Sequence, residues 1–193
     1  MPSRVQGFCA TGKYHNIEVE DDATVYAEYD SGLTIVFITS TGESPGTNRL
    51  EIGGTLGKLV LENNVLKHYK LQQSERDVCF ESQEMFAEIG YTVEEFAPTD
   101  DGSGHAGILQ NFCNSVLKDE PLIAPGAEGI NQLTLTNAAY LSSWTNEWVN
   151  LPIDEEKFER YLNKQVKQSE KREEKIESKA KVSGYSQRWQ VQW

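Results

Sequence analysis

The feature that most constrains this chain is one strand-like segment near its N-terminus that carries large apolar groups on both faces. Leu33, Ile35 and Phe37 alternate there with Thr34, Val36 and Ile38. Successive side chains of a strand point to opposite faces, so a sheet containing this segment needs cover on both sides. Two further segments precede it: a short strand from Arg4 to Ala10, and a long one from Ile17 to Tyr29 that ends in the turn Asp30-Ser31-Gly32. The third, Leu33 to Thr41, follows at hairpin distance. This arrangement predicts helices of the same chain on one sheet face and a second subunit on the other.

The pattern continues through a loop of turn formers, Thr41 to Asn48, into strands at Arg49 to Ile52 and Lys58 to Leu61 around a glycine-bearing turn. Asn63-Asn64 turns the chain into Val65 to Leu71. A short helix is expected around Glu81 to Ile89, with an outer strand at Tyr91 to Ala97. After Pro98 the period changes. His105 to Lys118 places Ile108, Leu109, Phe112, Val116 and Leu117 at helical spacing and closes at Asp119-Glu120-Pro121. A second helix, about Ala127 to Trp148, turns Ile130, Leu133, Ala138, Leu141 and Trp144 inward. A third starts at Asp154, an N-cap residue type, with Phe158, Tyr161, Leu162 and Val166 as its stripe.

The fold class is therefore α+β: a large open, mostly antiparallel or mixed sheet with helices on one face and the other face left for oligomerisation. Its 193 residues, 38% of them hydrophobic, suit one domain over residues 1–166. Residues 167–193 read as a charged helical or disordered tail. It ends in a short strand that aligns Trp189, Val191 and Trp193, and two terminal tryptophans imply docking on this subunit or a neighbour.

Charge is distributed unevenly. Residues 1–153 hold eight Lys/Arg against 22 Asp/Glu, a net −14, whereas residues 154–193 hold ten against eight, a net +2. An acidic body repels phosphate backbones, which argues against nucleic acid as a partner and leaves neutral small molecules open. Cys9, Cys79 and Cys113 are odd in number and far apart, without CxxC spacing, so neither a disulfide framework nor a zinc site is expected. No segment approaches the roughly 18 apolar residues of a membrane span, and the N-terminus lacks a signal-like apolar run. A cytoplasmic, reduced setting is the expectation.

Motifs for other chemistries fail on spacing or on context. IGGTLGK has three residues rather than four between Gly53 and Gly57, and Leu59 follows Lys58 where a phosphate loop needs Ser or Thr. In YHNIEVEDD, alternation puts Glu18, Glu20 and Asp22 on one strand face and Asp21 on the other, which reads as an acidic strand entrance and not a metal site. GxSxG occurs once, at Gly42 to Gly46, but in a loop between two strands and not on the strand-to-helix elbow a nucleophile needs. GxGxxG occurs once, at Gly102 to Gly107, but two expected helices follow it in a row where a dinucleotide site needs a βαβ unit. Cys113 sits beside Phe112 on a helix and reads as a core or near-core residue, and His68 as structural.

Three stretches carry a family resemblance: GKYHNIEVEDDATVYAEYDSGLTIVFITSTGESPGTNRLEIGGTLGKLVLEN, HAGILQNFCNSVLKDEPLIAPGAEGINQLTLTNAAYLSSW and VNLPIDEEKFERYL. Together they resemble the C-terminal domain of Gfo/Idh/MocA NAD(P)-dependent oxidoreductases over about residues 4–162, with EGINQLTLTNAAYLSSW the most distinctive. The resemblance implies an open sheet that packs against a partner subunit's sheet as a homodimer or homotetramer. It also implies NAD or NADP in the full-length enzyme, bound by an N-terminal Rossmann half with its glycine loop, catalytic lysine and acid–histidine helix. No Rossmann half carrying them is found here, and the GxGxxG string at Gly102 to Gly107 lies inside the resembling domain, so this chain alone is expected to bind no cofactor and to complete no catalytic cycle. An excised domain, a truncated product and one subunit of a split enzyme all fit that pattern.

By the same resemblance, the loop from Thr39 to Arg49 lies at the mouth of a substrate pocket. The candidate substrate-binding residues are Lys13, Tyr14, His15, Thr41, Asn48, Arg49 and His105. Lys and Arg donate while His, Tyr, Thr and Asn both donate and accept, which suits a sugar or polyol, inositol-like in its alternating hydroxyls. Arg49 has the rival option of pairing with Glu51 or Glu43. The alternative class is a stand-alone binding or assembly protein that keeps the fold without the redox chemistry.

Overall fold

The computed structural model describes residues 1–97 and 104–169. Along the chain run β1 (Arg4–Thr11), β2 (Glu20–Glu28), β3 (Thr34–Ser40), β4 (Arg49–Gly54), β5 (Gly57–Glu62), β6 (Val65–Leu71), α1 (Glu75–Glu81), β7 (Tyr91–Phe96), α2 (Gly104–Lys118), α3 (Gly129–Thr145), β8 (Val149–Asn150) and α4 (Glu155–Gln168). The class is α+β. The strands resolve into two antiparallel four-stranded sheets, β3-β2-β1-β8 and β4-β5-β6-β7. Two compact units follow that division: residues 1–44 with 104–169, and residues 45–97. The polar run at 98–103 and the tryptophan-bearing tail lie outside the described residues.

In the first unit, the register puts Val5 opposite Ala27 and Ala27 opposite Ile35, so these three share a face. That face meets α3. Gly7 on β1 comes so close to α3 that a Cβ there would sit 2.4 Å from the carbonyl oxygen of Ala139. Beyond the two-residue β8, Gly7 and Cys9 have no strand neighbour for their N–H groups. Both donate to hydroxyls of α3, Gly7 to Ser142 and Cys9 to Ser143, each at 2.9 Å. Ser142 passes its own proton to the Glu147 carbonyl at 2.6 Å, so this fully buried hydroxyl is satisfied in both roles. Val5, Ala27, Ala138, Ala139, Leu141 and Val149 form the core around this contact.

Helix boundaries show where periodicity misleads. In α3, Ala138 and Leu141 are buried as expected, but Ile130 and Leu133, two turns earlier, are exposed. On α2 the apolar stripe is present yet uncovered: Ile108, Leu109, Phe112, Val116 and Leu117 are all exposed, so of the two helices expected to cover the sheet only α3 lies on it. Cys113 is accordingly exposed rather than near-core. The short helix falls at Glu75–Glu81 rather than 81–89, because Ser74 caps it by accepting from the Asp77 N–H at 3.3 Å and Glu75 and Asp77 favour the first turn. The Asp154 cap of α4 is as expected, accepting from Lys157 N–H at 2.8 Å.

The second unit sorts its residues by strand alternation, with His68, Lys70 and Glu94 as the polar exceptions on the more apolar face. One face carries Leu50, Ile52, Leu59, Leu61, Leu66 and Phe96; the other carries Arg49, Glu51, Lys58, Glu62, Lys67 and Glu95. Asn63 and Asn64, both left-handed at φ 51° and 59°, make the β5–β6 turn as the sequence predicts.

Gly7→Ala is expected to lower unfolding stability by about 1–3 kcal/mol, since the new methyl must part β1 from the α3 backbone. Urea denaturation measures this, and an unchanged midpoint would show that the helix can shift freely.

Candidate functional site

The connection between β1 and β2 is built around one carboxylate. Asp21, on β2, is 2% exposed and accepts backbone N–H groups from Lys13 at 2.9 Å, Tyr14 at 2.7 Å and His15 at 2.8 Å. Burial alone would raise this carboxyl. The three N–H donors and the His15 ring outweigh it and hold the group at about 2, below its ordinary 3.8. The Asp21 carbonyl in turn takes the Thr41 N–H at 2.9 Å, tying the end of β3 to the same residue.

His15 Nδ1 lies 3.3 Å from both Asp21 Oδ2 and Thr41 Oγ1. The ionised Asp21 can only accept, and the Thr41 hydroxyl hydrogen faces the Asp21 carbonyl at 3.3 Å. The Nδ1 position therefore carries the proton, which leaves Nε2 of the neutral ring as an acceptor. Lys13 reaches Asp22 at 3.0 Å, and its ammonium lies 4.8 Å from the Tyr14 ring centre. Gly42 packs its backbone on that ring: a Cβ there would fall 2.2 Å from Tyr14 Cγ.

Four of the seven candidate residues, Lys13, Tyr14, His15 and Thr41, are thus gathered around Asp21 in the first unit. Asn48 is exposed just ahead of β4 in the second unit. Arg49 is there too, its guanidinium spanned by Glu51 at 2.6 Å and Glu62 at 3.0 Å. His105 is exposed on the first turn of α2. Sequence reasoning missed Asp21 as the organiser. The available signal was its position: alternation alone sets it opposite Glu18, Glu20 and Asp22, on the buried side of β2. It also missed Tyr140 on α3, which donates a short hydrogen bond to Glu20; burial, then that bond and the charge of Glu20, push the phenol up. Cys9 beside it is raised by burial and by Glu20.

Among the described residues Gly104 and Gly107 open α2, but both sheets are antiparallel and no strand–helix–strand unit with parallel strands is present. The described residues thus lack the βαβ frame on which a dinucleotide pyrophosphate is cradled. Nor do they contain a cluster of three or more His, Cys, Asp or Glu fit to hold a metal ion. No described helix is long and apolar enough to cross a membrane.

The architecture is that of an oxidoreductase's α+β companion domain. Residues 1–151 match the oxidoreductase family C-terminal alpha/beta domain of the Gfo/Idh/MocA group, and the chain belongs to that family. It is similar to an oxidoreductase domain protein from Kribbella flavida, at 17% identity and TM-score 0.57, over 78% of this chain and 44% of that one. The WlbA dehydrogenase of Chromobacterium violaceum, solved with NADH and UDP-GlcNAcA, aligns at 24% identity and TM-score 0.55, over 79% and 41%. A levoglucosan dehydrogenase solved with NADH and L-sorbose aligns at 14% identity and TM-score 0.55, over 79% and 45%. The chain thus spans less than half the length of these structures. No curated protein sequence matches it.

Asp21→Asn is expected to lower the melting temperature at pH 7 by on the order of 5 °C, because a neutral amide is a weaker acceptor for three N–H groups. The depressed carboxyl contributes stability that is present above its unfolded value near 3.8 and lost as pH falls through about 2. The melting difference between the parent and Asp21→Asn should therefore shrink between pH 4 and pH 2. A difference independent of pH would remove the charge from the explanation.

Proposed function

We propose that this chain is the substrate-recognition and oligomerisation half of an NAD(P)-dependent sugar or polyol dehydrogenase with an inositol-like substrate, and that it is not catalytically complete alone. One observation carries the reading: the carboxylate of Asp21 organises Lys13, Tyr14, His15 and Thr41 into a single polar edge. An ammonium donor, a ring nitrogen acceptor and two hydroxyls match the alternating donors and acceptors of a polyol. The net charge of −12 favours such an uncharged ligand over a polyphosphate. The cofactor carries the hydride chemistry in this class, and this chain's part is to hold the substrate. Family membership, and the sugar-bearing ligands of two similar structures, support the substrate class.

The assembly reading rests on the sheet face opposite α3. Phe8, Val36 and Ile38 share it by register and are each more than half exposed. A second copy of this chain covering that face would bury on the order of 2,000 Å² in total, enough to persist on dilution. The setting proposed is cytoplasmic.

Calorimetric titration of the full chain with myo-inositol should saturate, and His15→Ala should weaken binding tenfold or more. Titration with NAD and NADP should give no saturable heat. Saturable low-micromolar binding of either dinucleotide would sink the incomplete-enzyme reading, and an unchanged inositol affinity in His15→Ala would sink the assigned edge. Sedimentation at low micromolar concentration should give twice 21.8 kDa or a higher even multiple, and Ile38→Asp should shift it towards monomer. A monomeric parent protein would withdraw the assembly claim.

A further inference from the structure

The second unit holds a cavity of about 780 Å³, within the size range of small-molecule sites, and every residue lining it belongs to that unit. It opens on the charged sheet face at the end of the β4–β5 hairpin. Gly53, Gly54 and Gly57 form one side, Tyr69 and Tyr91 another, and Lys58, Glu75 and Arg76 bring charge to it.

The glycines differ in what compels them. Gly57 has φ 142°, and a Cβ there would fall 1.9 Å from the Tyr69 carbonyl oxygen, so the turn demands it. Gly53 has neither reason. Its backbone lies outside the left-handed region, and a Cβ there would meet nothing within 4 Å. It pairs with Lys58, which pairs with Tyr69, so its missing side chain faces the cavity. A strand glycine gives up packing and chain stiffness, and where neither turn nor contact requires it, it marks space kept for another group.

The side chains indicate which group. Tyr69 and Tyr91 sit with ring centres 6.1 Å apart and planes at 52°, an aromatic wall for the C–H face of a saturated ring. Lys58 is already bound to Glu51 at 2.9 Å. Arg76 has no carboxylate within ion-pair distance among the described residues; its one contact of note is the Phe80 ring at 5.9 Å. Of the two described arginines without a carboxylate partner, Arg76 and Arg160, only Arg76 lines the cavity, and its fork fits one carboxylate with two parallel bonds. Glu75 beside it accepts from hydroxyls and disfavours a second negative charge on the ligand.

We propose that this cavity binds a pyranose-sized ring bearing a single carboxylate, a uronate. The carboxylate meets Arg76, the ring face lies against Tyr69 and Tyr91, and the space above Gly53 admits the ring.

The test is calorimetry on the full chain with D-glucuronate and D-glucose, repeated with Arg76→Met and Gly53→Val. Glucuronate should bind with a Kd of about 1 mM or tighter and glucose at least tenfold more weakly. Each substitution should weaken glucuronate binding at least tenfold. Gly53→Val should keep or raise the melting temperature, because its side chain enters open space and valine favours a strand. Equal affinity for the two sugars, no binding of glucuronate, or full affinity in either variant overturns the proposal. A Gly53→Val chain that melts markedly earlier overturns the claim that the glycine is there for the ligand.

Discussion

The packing of the first unit depends on the approach of α3 to β1 at Gly7. A helix can come this near a strand only where the strand lacks a side chain, and the Ala139 backbone occupies the place that a Cβ would take. That closeness brings the Ser142 and Ser143 hydroxyls within 2.9 Å of N–H groups that β8 is too short to pair. A buried strand edge without partners would cost more than the hydrophobic contacts beside it return. Small residues on both sides, Gly7, Ala138 and Ala139, are thus a condition for the hydrogen bonding, and the hydrogen bonding fixes the helix along the strand. The aromatic stack that follows, Tyr140 on Trp144 at 5.6 Å and Trp144 on Phe158 at 5.7 Å, extends the same helix face to α4.

With β1 and β2 paired in register along their own ladder, Asp21 organises the loop that joins them. A carboxylate this buried survives as an anion only because three backbone donors converge on it, and they converge only because the chain folds back within six to eight residues. The loop in turn sets the tautomer of His15 and the position of Tyr14 against Gly42. The Asp21 loop is thus the outer end of a chain of constraints that starts in the core, and each step uses backbone groups more than side chains. An exposed loop held in this way keeps its hydroxyls and ring nitrogen at fixed positions.

The parts of this structure legible in the sequence are those decided locally. The Asn63-Asn64 turn follows from the left-handed tolerance of asparagine, the Asp154 cap from a side chain reaching three residues ahead, and the two-faced character of β3 from simple alternation. Asp21 was not legible as an organiser because its partners are backbone groups, which leave no mark in residue type. The stripe on α2 was legible as a stripe, but periodicity states only that a face is apolar and never what covers it. For the candidate site, four of seven residues converge, and they are the ones within reach of a single carboxylate. Asn48 and Arg49 stand in the other unit, where Arg49 serves a lattice of ion pairs.

On the charged face of the second unit Arg49, Glu51, Lys58 and Glu62 form one connected network, and such networks at half-exposed sites contribute less through attraction than through fixing side chains over the strands beneath. Val60, 5% exposed among them, is buried by the aliphatic stems of its charged neighbours. The opposite face keeps Leu50, Ile52 and Phe96 exposed. The cavity sits on the charged side at the hairpin end. The two-residue period of the strands alone thus places the ion pairs and the cavity on one face and Leu50, Ile52 and Phe96 on the other.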